Sequence, residues 1–215
     1  MASYSGDGKE WQSGYIKKPV EGRIRVSVTG LEGDEQADIR NHGGPDKAVL
    51  VYPESHYQKW QEELHIEKLD YGSFGENITI SNLTEEDVCI GDVFEIGDVK
   101  LQISQPRQPC WKISKILKKD GLDKRVQETG HTGWYLRVLQ EGEIESDNEF
   151  KLIGRLFPQW TVLKALRIME NAKNNPKVAG ELASCLLLSE SWKKTLRSFA
   201  DGKNSQSKDD RFKGP

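Results

Sequence analysis

Four stretches of this chain concentrate residue types that bind anions or move groups. Arg40-Asn41-His42-Gly43-Gly44-Pro45-Asp46-Lys47 sets a Gly pair and a Pro between two donors, His42 and Lys47. A loop of that kind lets backbone amides approach a ligand closely. Tyr71-Gly72-Ser73-Phe74-Gly75-Glu76-Asn77 places glycines on either side of Ser-Phe and then feeds Glu76 and Asn77 toward a strand. Gln105-Pro106-Arg107-Gln108-Pro109-Cys110-Trp111-Lys112 holds Arg107 three residues before Cys110 between two prolines. A thiolate is both the reactive form of cysteine and a ligand for soft metal centres, and a nearby guanidinium favours it. Thr129-Gly130-His131-Thr132-Gly133-Trp134-Tyr135-Leu136-Arg137 enters a strand with Tyr135 and Arg137 on one face. On residue types alone each Gly-rich stretch also fits a plain turn or strand entry.

These stretches must be positioned by short elements. Strands are predicted at 23–28, 47–52, 77–80, 93–96, 99–103, 133–139 and 149–153, the fourth and fifth joined by Gly97-Asp98 as a tight hairpin. Pro53 sits where a first helical residue would, with Tyr57, Trp60 and Leu64 at helical spacing behind it. Ile113, Ile116 and Leu117 mark a second helix ending near Gly121. Residues 1–12 read as loosely held. Strands this short and this punctuated by glycine argue for a mainly β body, a barrel or a sandwich. After Leu156-Phe157-Pro158 every apolar pattern is helical. Thr161, Asn175-Pro176 and Ser189 each stand where a helix could open. The organisation expected is a domain over 1–156, with its core at about 20–155, three helices over 157–202 that lean on it, and a polar, disordered tail over 203–215.

Composition narrows the function classes. Lys plus Arg number 31 and Asp plus Glu 34 in 215 residues, a formal net charge of −3. Such a balance provides no basic footprint for nucleic acid or an anionic membrane. The chain has no apolar run near the ~20 residues that span a bilayer, and its first residues lack a signal sequence. The three cysteines, Cys89, Cys110 and Cys185, suit neither a disulfide framework nor a zinc site. Cys89 and Cys185 lie in apolar runs and read as buried, inert thiols. A cytoplasmic protein with reduced thiols is the expectation.

Taken in order, His42-Gly43-Gly44-Pro45-Asp46-Lys47-Ala48-Val49, Phe74-Gly75-Glu76-Asn77, Pro106-Arg107-Gln108-Pro109-Cys110 and Gly133-Trp134-Tyr135-Leu136-Arg137-Val138 resemble the MOSC family. That name stands for molybdenum cofactor sulfurase C-terminal domain. The branch most resembled is the YiiM type, linked to resistance to hydroxylaminopurine, whose members carry a small three-helix domain after the MOSC barrel. The resemblance implies a β-barrel-like MOSC fold with a pocket for the molybdenum cofactor. It implies Cys110 as the thiolate ligand of molybdenum or a sulfur-accepting thiol, and His42 and Arg107 beside it at an anionic group. The Gly43-Gly44 loop would offer its amides to the same anionic group, and Lys47, Glu76 and Asn77 would line the pocket or support it. Related proteins reduce N-hydroxylated compounds, so the activity implied is a molybdenum-dependent reduction. It needs a separate electron-donor protein, because no flavin or iron–sulfur motif is present. The alternative is a carrier of the cofactor, or of sulfur on Cys110. Pyridoxal phosphate is not expected, and the helical tail offers a surface on which a homodimer could form.

Overall fold

The computed structural model describes residues 2–6, 9–34, 43–203 and 211–212. His42, with Arg40 and Asn41, lies outside the described residues.

Strand β5 (Val49–Pro53) is buried at every position, as its unbroken Val-rich run dictates for a strand covered on both faces. It pairs antiparallel with β9 (Trp134–Gln140) and parallel with β6 (Ile78–Ile80). Beyond β9 lie β8 (Val99–Pro106), β7 (Val93–Ile96) and β11 (Lys151–Gly154), giving the order β11-β7-β8-β9-β5-β6. All pairs except β5–β6 are antiparallel, and β7 turns into β8 through the two residues Gly97 and Asp98, as expected. A second sheet joins β10 (Gly142–Ile144), β3 (Ile24–Ser27) and β4 (Gly30–Leu31). With the first it makes the mainly β, half-barrel body that the strand pattern called for.

Two expectations are corrected and one helix is added. The stretch read as loosely held instead forms a hairpin of β1 (Ala2–Gly6) and β2 (Lys9–Ser13). Pro53 ends β5 rather than opening a helix; Pro cannot donate to the ladder, and the Glu54 N–H takes over by bonding the Ile80 carbonyl at 2.8 Å. Helix α1 begins after it (Ser55–Leu64). The second helix forms as expected and ends before Gly121: α2 (Lys112–Leu117) stops at Lys118 in the left-handed region, and a further helix that the apolar spacing did not mark, α3 (Leu122–Thr129), starts after Gly121. Ser114 and Asp123 tie them together at 2.9 Å.

Helices α4 (Val162–Asn171), α5 (Pro176–Ala183) and α6 (Glu190–Ala200) follow the sheet. The hydroxyls of Thr161 and Ser189 accept from the Lys164 and Trp192 N–H groups, so both N-caps work as their residue types require. Val162, Leu166, Leu182, Trp192 and Leu196 join Val51, Leu101, Ile103 and Leu136 in one apolar core. The helices therefore bury their faces on the sheet, not only on one another. A smaller aromatic core, Tyr52, Tyr57, Trp60, Phe74, Ile113, Leu122 and Val126, fills the space under α1, α2 and α3. Among the described residues no helix is long and apolar enough to cross a membrane.

Candidate active site

The last residues of β8 and the turn after it carry the site. Arg107 follows Pro106 directly, and its N–H donates to the Gly133 carbonyl at 3.0 Å, which moors the turn to the start of β9. Gly133 is itself held: its N–H donates to Glu85 at 2.6 Å, and the other Glu85 oxygen lies 2.8 Å from His56 Nε2. His131 stacks on the His56 ring at 4.0 Å. Burial, then the neighbouring His56 and Lys59, pull His131 down to about 4, so it is neutral near neutral pH.

The Arg107 side chain runs inward and is 4% exposed. Nη2 donates to the Tyr15 hydroxyl at 2.7 Å, and the guanidinium carbon lies 5.6 Å from that ring's centre. Nη1 is buried with no hydrogen-bond partner among the described residues. Burial works against the Arg107 charge and the Tyr15 hydroxyl that accepts from Nη2 works for it, and the balance lies above the ordinary guanidinium range. Burial also pushes the Tyr15 and Tyr135 phenols above their ordinary range. Both stay neutral, so neither cancels the guanidinium. A buried cation with an open N–H and neutral neighbours is a place made for an anion.

Cys110 lies within electrostatic reach of the same guanidinium, with its thiol free and 9% exposed. The Gly43-Gly44 turn reaches the same strand pair. Gly44, at φ +95°, opens a 3-10 turn over Pro45–Lys47, and the Lys47 N–H closes it on the Gly44 carbonyl at 2.9 Å. The Ser104 hydroxyl donates to the carbonyls of both Asp46 and Tyr135. Asp46 binds Arg137 at 2.8 Å and also accepts from the Glu190 N–H at 3.3 Å, which brings the start of α6 to the turn.

Glu76 and Asn77 are placed differently. Glu76 is buried and accepts from the Gly72 and Phe74 N–H groups and from the hydroxyls of Tyr57 and Thr79. Asn77 accepts from the Leu50 N–H at 2.9 Å and donates to Asp34 at 2.8 Å. They clamp the glycine loop and β5 rather than facing the open guanidinium. Cys89 and Cys185 lie buried in the core, and burial pushes the Cys89 thiol up. An open groove of about 620 Å³ along α1, lined by Glu54, Tyr57, Lys68 and Tyr71 among others, includes neither Arg107 nor Cys110.

Tyr15 is the site residue that motif reading missed. It arrives from 92 residues away, in a stretch with no period or motif to mark it.

The fold agrees with the comparisons. The model of the MOSC domain matches residues 38–151, and the chain belongs to the MOSC domain family. "Uncharacterized protein YflK" of Bacillus subtilis is 42% identical over 91% of this chain and 88% of its own length. A Gibberella moniliformis protein named "Reductase" is 39% identical over 75% of this chain, which spans 29% of that protein. Protein YiiM of Escherichia coli is 35% identical over 86% of this chain and 83% of its own. The YiiM crystal structure superposes with a TM-score of 0.81 over 93% of this chain and 96% of that one, at 30% identity. Within the family the chain is of the YiiM type.

Proposed function

We propose that this chain binds the molybdenum cofactor and reduces N-hydroxylated compounds, hydroxylaminopurine-type bases among them. The observation that carries the reading is the buried Arg107 fork, half tied to Tyr15 and half open, beside the free Cys110 thiol. The donor set suits the group: a guanidinium takes an anionic oxygen in a fork, and a thiolate is a soft metal ligand. Membership of the MOSC family and likeness to a protein named a reductase support the redox direction.

When bound, the cofactor supplies the two-electron chemistry that converts N–OH to N–H and water, with two electrons and two protons from a separate donor protein. Cys110 would hold the metal. Arg107, fixed by Tyr15 and by Gly133, would hold an anionic group of the cofactor, with the Gly43-Gly44 turn and Lys47 beside the strand pair as further pocket members. Tyr135 keeps its proton at the hydroxyl because burial disfavours the phenolate, so it can donate a hydrogen bond without adding charge. Glu76 and Asn77 support the loops around the pocket.

The test is molybdenum content by elemental mass spectrometry on protein from cells that make the cofactor, with Cys110→Ala beside it. Near-stoichiometric metal that falls in the variant is expected, followed by turnover of an N-hydroxylated base with an artificial electron donor. No metal in either sample, after loading with free cofactor as well, would overturn the reading. Metal without turnover would leave a cofactor carrier.

A further inference from the structure

The Tyr15 hydroxyl accepts from Arg107 Nη2 at 2.7 Å, and its own proton has no acceptor among the described residues. The ring is seated on the glycine loop, where a Cβ at Gly75 would lie 3.2 Å from both the ring and the Tyr15 carbonyl oxygen. Two residues on, the Lys17 N–H donates to the Gly72 carbonyl at 3.3 Å. The loop that Glu76 clamps is therefore also the seat that holds this phenol against Arg107. Arg107, Arg211, Tyr15 and Tyr135 all lie within electrostatic reach of Cys110.

Breaking an N–O bond sends the oxygen off as hydroxide unless an acid meets it. A guanidinium does not give up its proton, so of these four groups only the two phenols can serve. Hydroxide is a stronger base than a phenolate and takes a phenol's proton. The two phenols differ in what would hold the anion left behind. Tyr15 has a direct bond from the Arg107 cation, whereas Arg107 reaches Tyr135 through charge alone. We propose that Tyr15 is the acid of the reduction: its O–H gives a proton to the oxygen that leaves nitrogen, and Arg107 holds the phenolate until it is reprotonated. The inference rests on the reductase reading above. As the N–O bond breaks, its electron pair leaves with oxygen, and the Tyr15 proton turns that hydroxide into water. Two electrons from the separate donor protein and one solvent proton complete the N–H bond, and a second solvent proton restores Tyr15.

The experiment compares the unaltered full chain with Tyr15→Phe, which keeps the ring on Gly75 and removes only the hydroxyl. In metal-loaded protein with an artificial electron donor, turnover of an N-hydroxylated base should fall at least about a hundredfold in Tyr15→Phe. Turnover of its O-acetyl ester, whose leaving acetate needs no proton, should fall less than about threefold. Molybdenum content, and calorimetric binding of inorganic phosphate to the metal-free chain, should be retained in the variant. In metal-free chain carrying difluorotyrosine in place of Tyr15, Arg107→Met should raise the pH at which that phenol ionises, read by absorbance, by about one unit or more. Unchanged turnover, equal losses on both substrates, loss of phosphate binding in Tyr15→Phe, or an ionisation unmoved by Arg107→Met would each overturn the inference and leave the reductase reading standing. Metal without turnover in the unaltered chain, or no metal at all, would overturn that reading and the inference with it.

Discussion

Glu76 and Arg107 are both buried charges within electrostatic reach of Tyr15, and the chain treats them in opposite ways. Glu76 spends its oxygens on the Gly72 and Phe74 N–H groups and the Thr79 hydroxyl beside it in sequence, and on the Tyr57 hydroxyl from α1. Arg107 receives one phenol and keeps a nitrogen open. The first arrangement locks a left-handed glycine turn. The second leaves a cation whose partner must come from outside the described residues. A saturated charge is read as structure, and an unsaturated one as a binding site.

This contrast predicts effects of different size and kind. Glu76→Ala leaves the Gly72 and Phe74 amides unpaired in the interior, so urea unfolding should show a loss of about 3–5 kcal/mol, as for breaking other buried charged networks. A loss near zero would break the comparison at its structural end. Gly133→Ala comes next. Gly133 sits at φ +73°, where an added Cβ would lie 2.3 Å from the Val51 carbonyl oxygen. Strain and clash together should cost about 2–3 kcal/mol in thermal unfolding. Because the Gly133 carbonyl moors Arg107, phosphate binding should weaken as well.

The mooring also has a pH dependence. His131 is held near 4 in the folded chain against an ordinary 6.5, so its stabilising effect is complete above 6.5. It is lost as the pH falls toward 4, where the unfolded chain binds the proton more readily. Allowing for its partial exposure, stability should drop by about 1–2 kcal/mol across that window. The slope in His131→Gln should be flatter over the same window; an unchanged slope would remove His131 from the account.

The smallest effect on stability belongs to Arg107→Met. Replacing a half-paired buried cation with an apolar side chain of similar length should shift the unfolding free energy by no more than about 1 kcal/mol in either direction. Phosphate binding should nevertheless vanish. A large destabilisation instead would mean that Arg107 is as structural as Glu76, and the contrast would collapse.

Much of the fold could be read from local pattern. The unbroken apolar run at Val49–Tyr52, the Gly97-Asp98 hairpin and the Thr161 and Ser189 caps are short-range signals, and each element formed where its residues placed it. Cys110 and Arg107 stood out because two prolines fix the backbone around them. What escaped local reading depends on partners distant in sequence. Tyr15 gains its place only by meeting Arg107, and Pro53 is a strand residue only because β6 lies beside it. The helix Leu122–Thr129 carries only Leu122 and Val126 as buried apolar residues, too few for apolar spacing to mark it. Glu85 opens the acidic run Glu85-Glu86-Asp87, a residue pattern that ordinarily faces solvent. Only the fold shows it buried between His56 and Gly133.

The bond from Asp46 to the Glu190 N–H spans 144 residues. At a synthesis rate of roughly 5–20 residues per second, on the order of ten seconds pass between the making of Asp46 and that of its helical partner. During that interval the turn can already hold Arg137 once β9 exists, but the side chain's other oxygen waits. The turn is therefore completed late in the birth of the chain, and a growing polypeptide on the ribosome has most of its sheet before this corner of the molecule is closed.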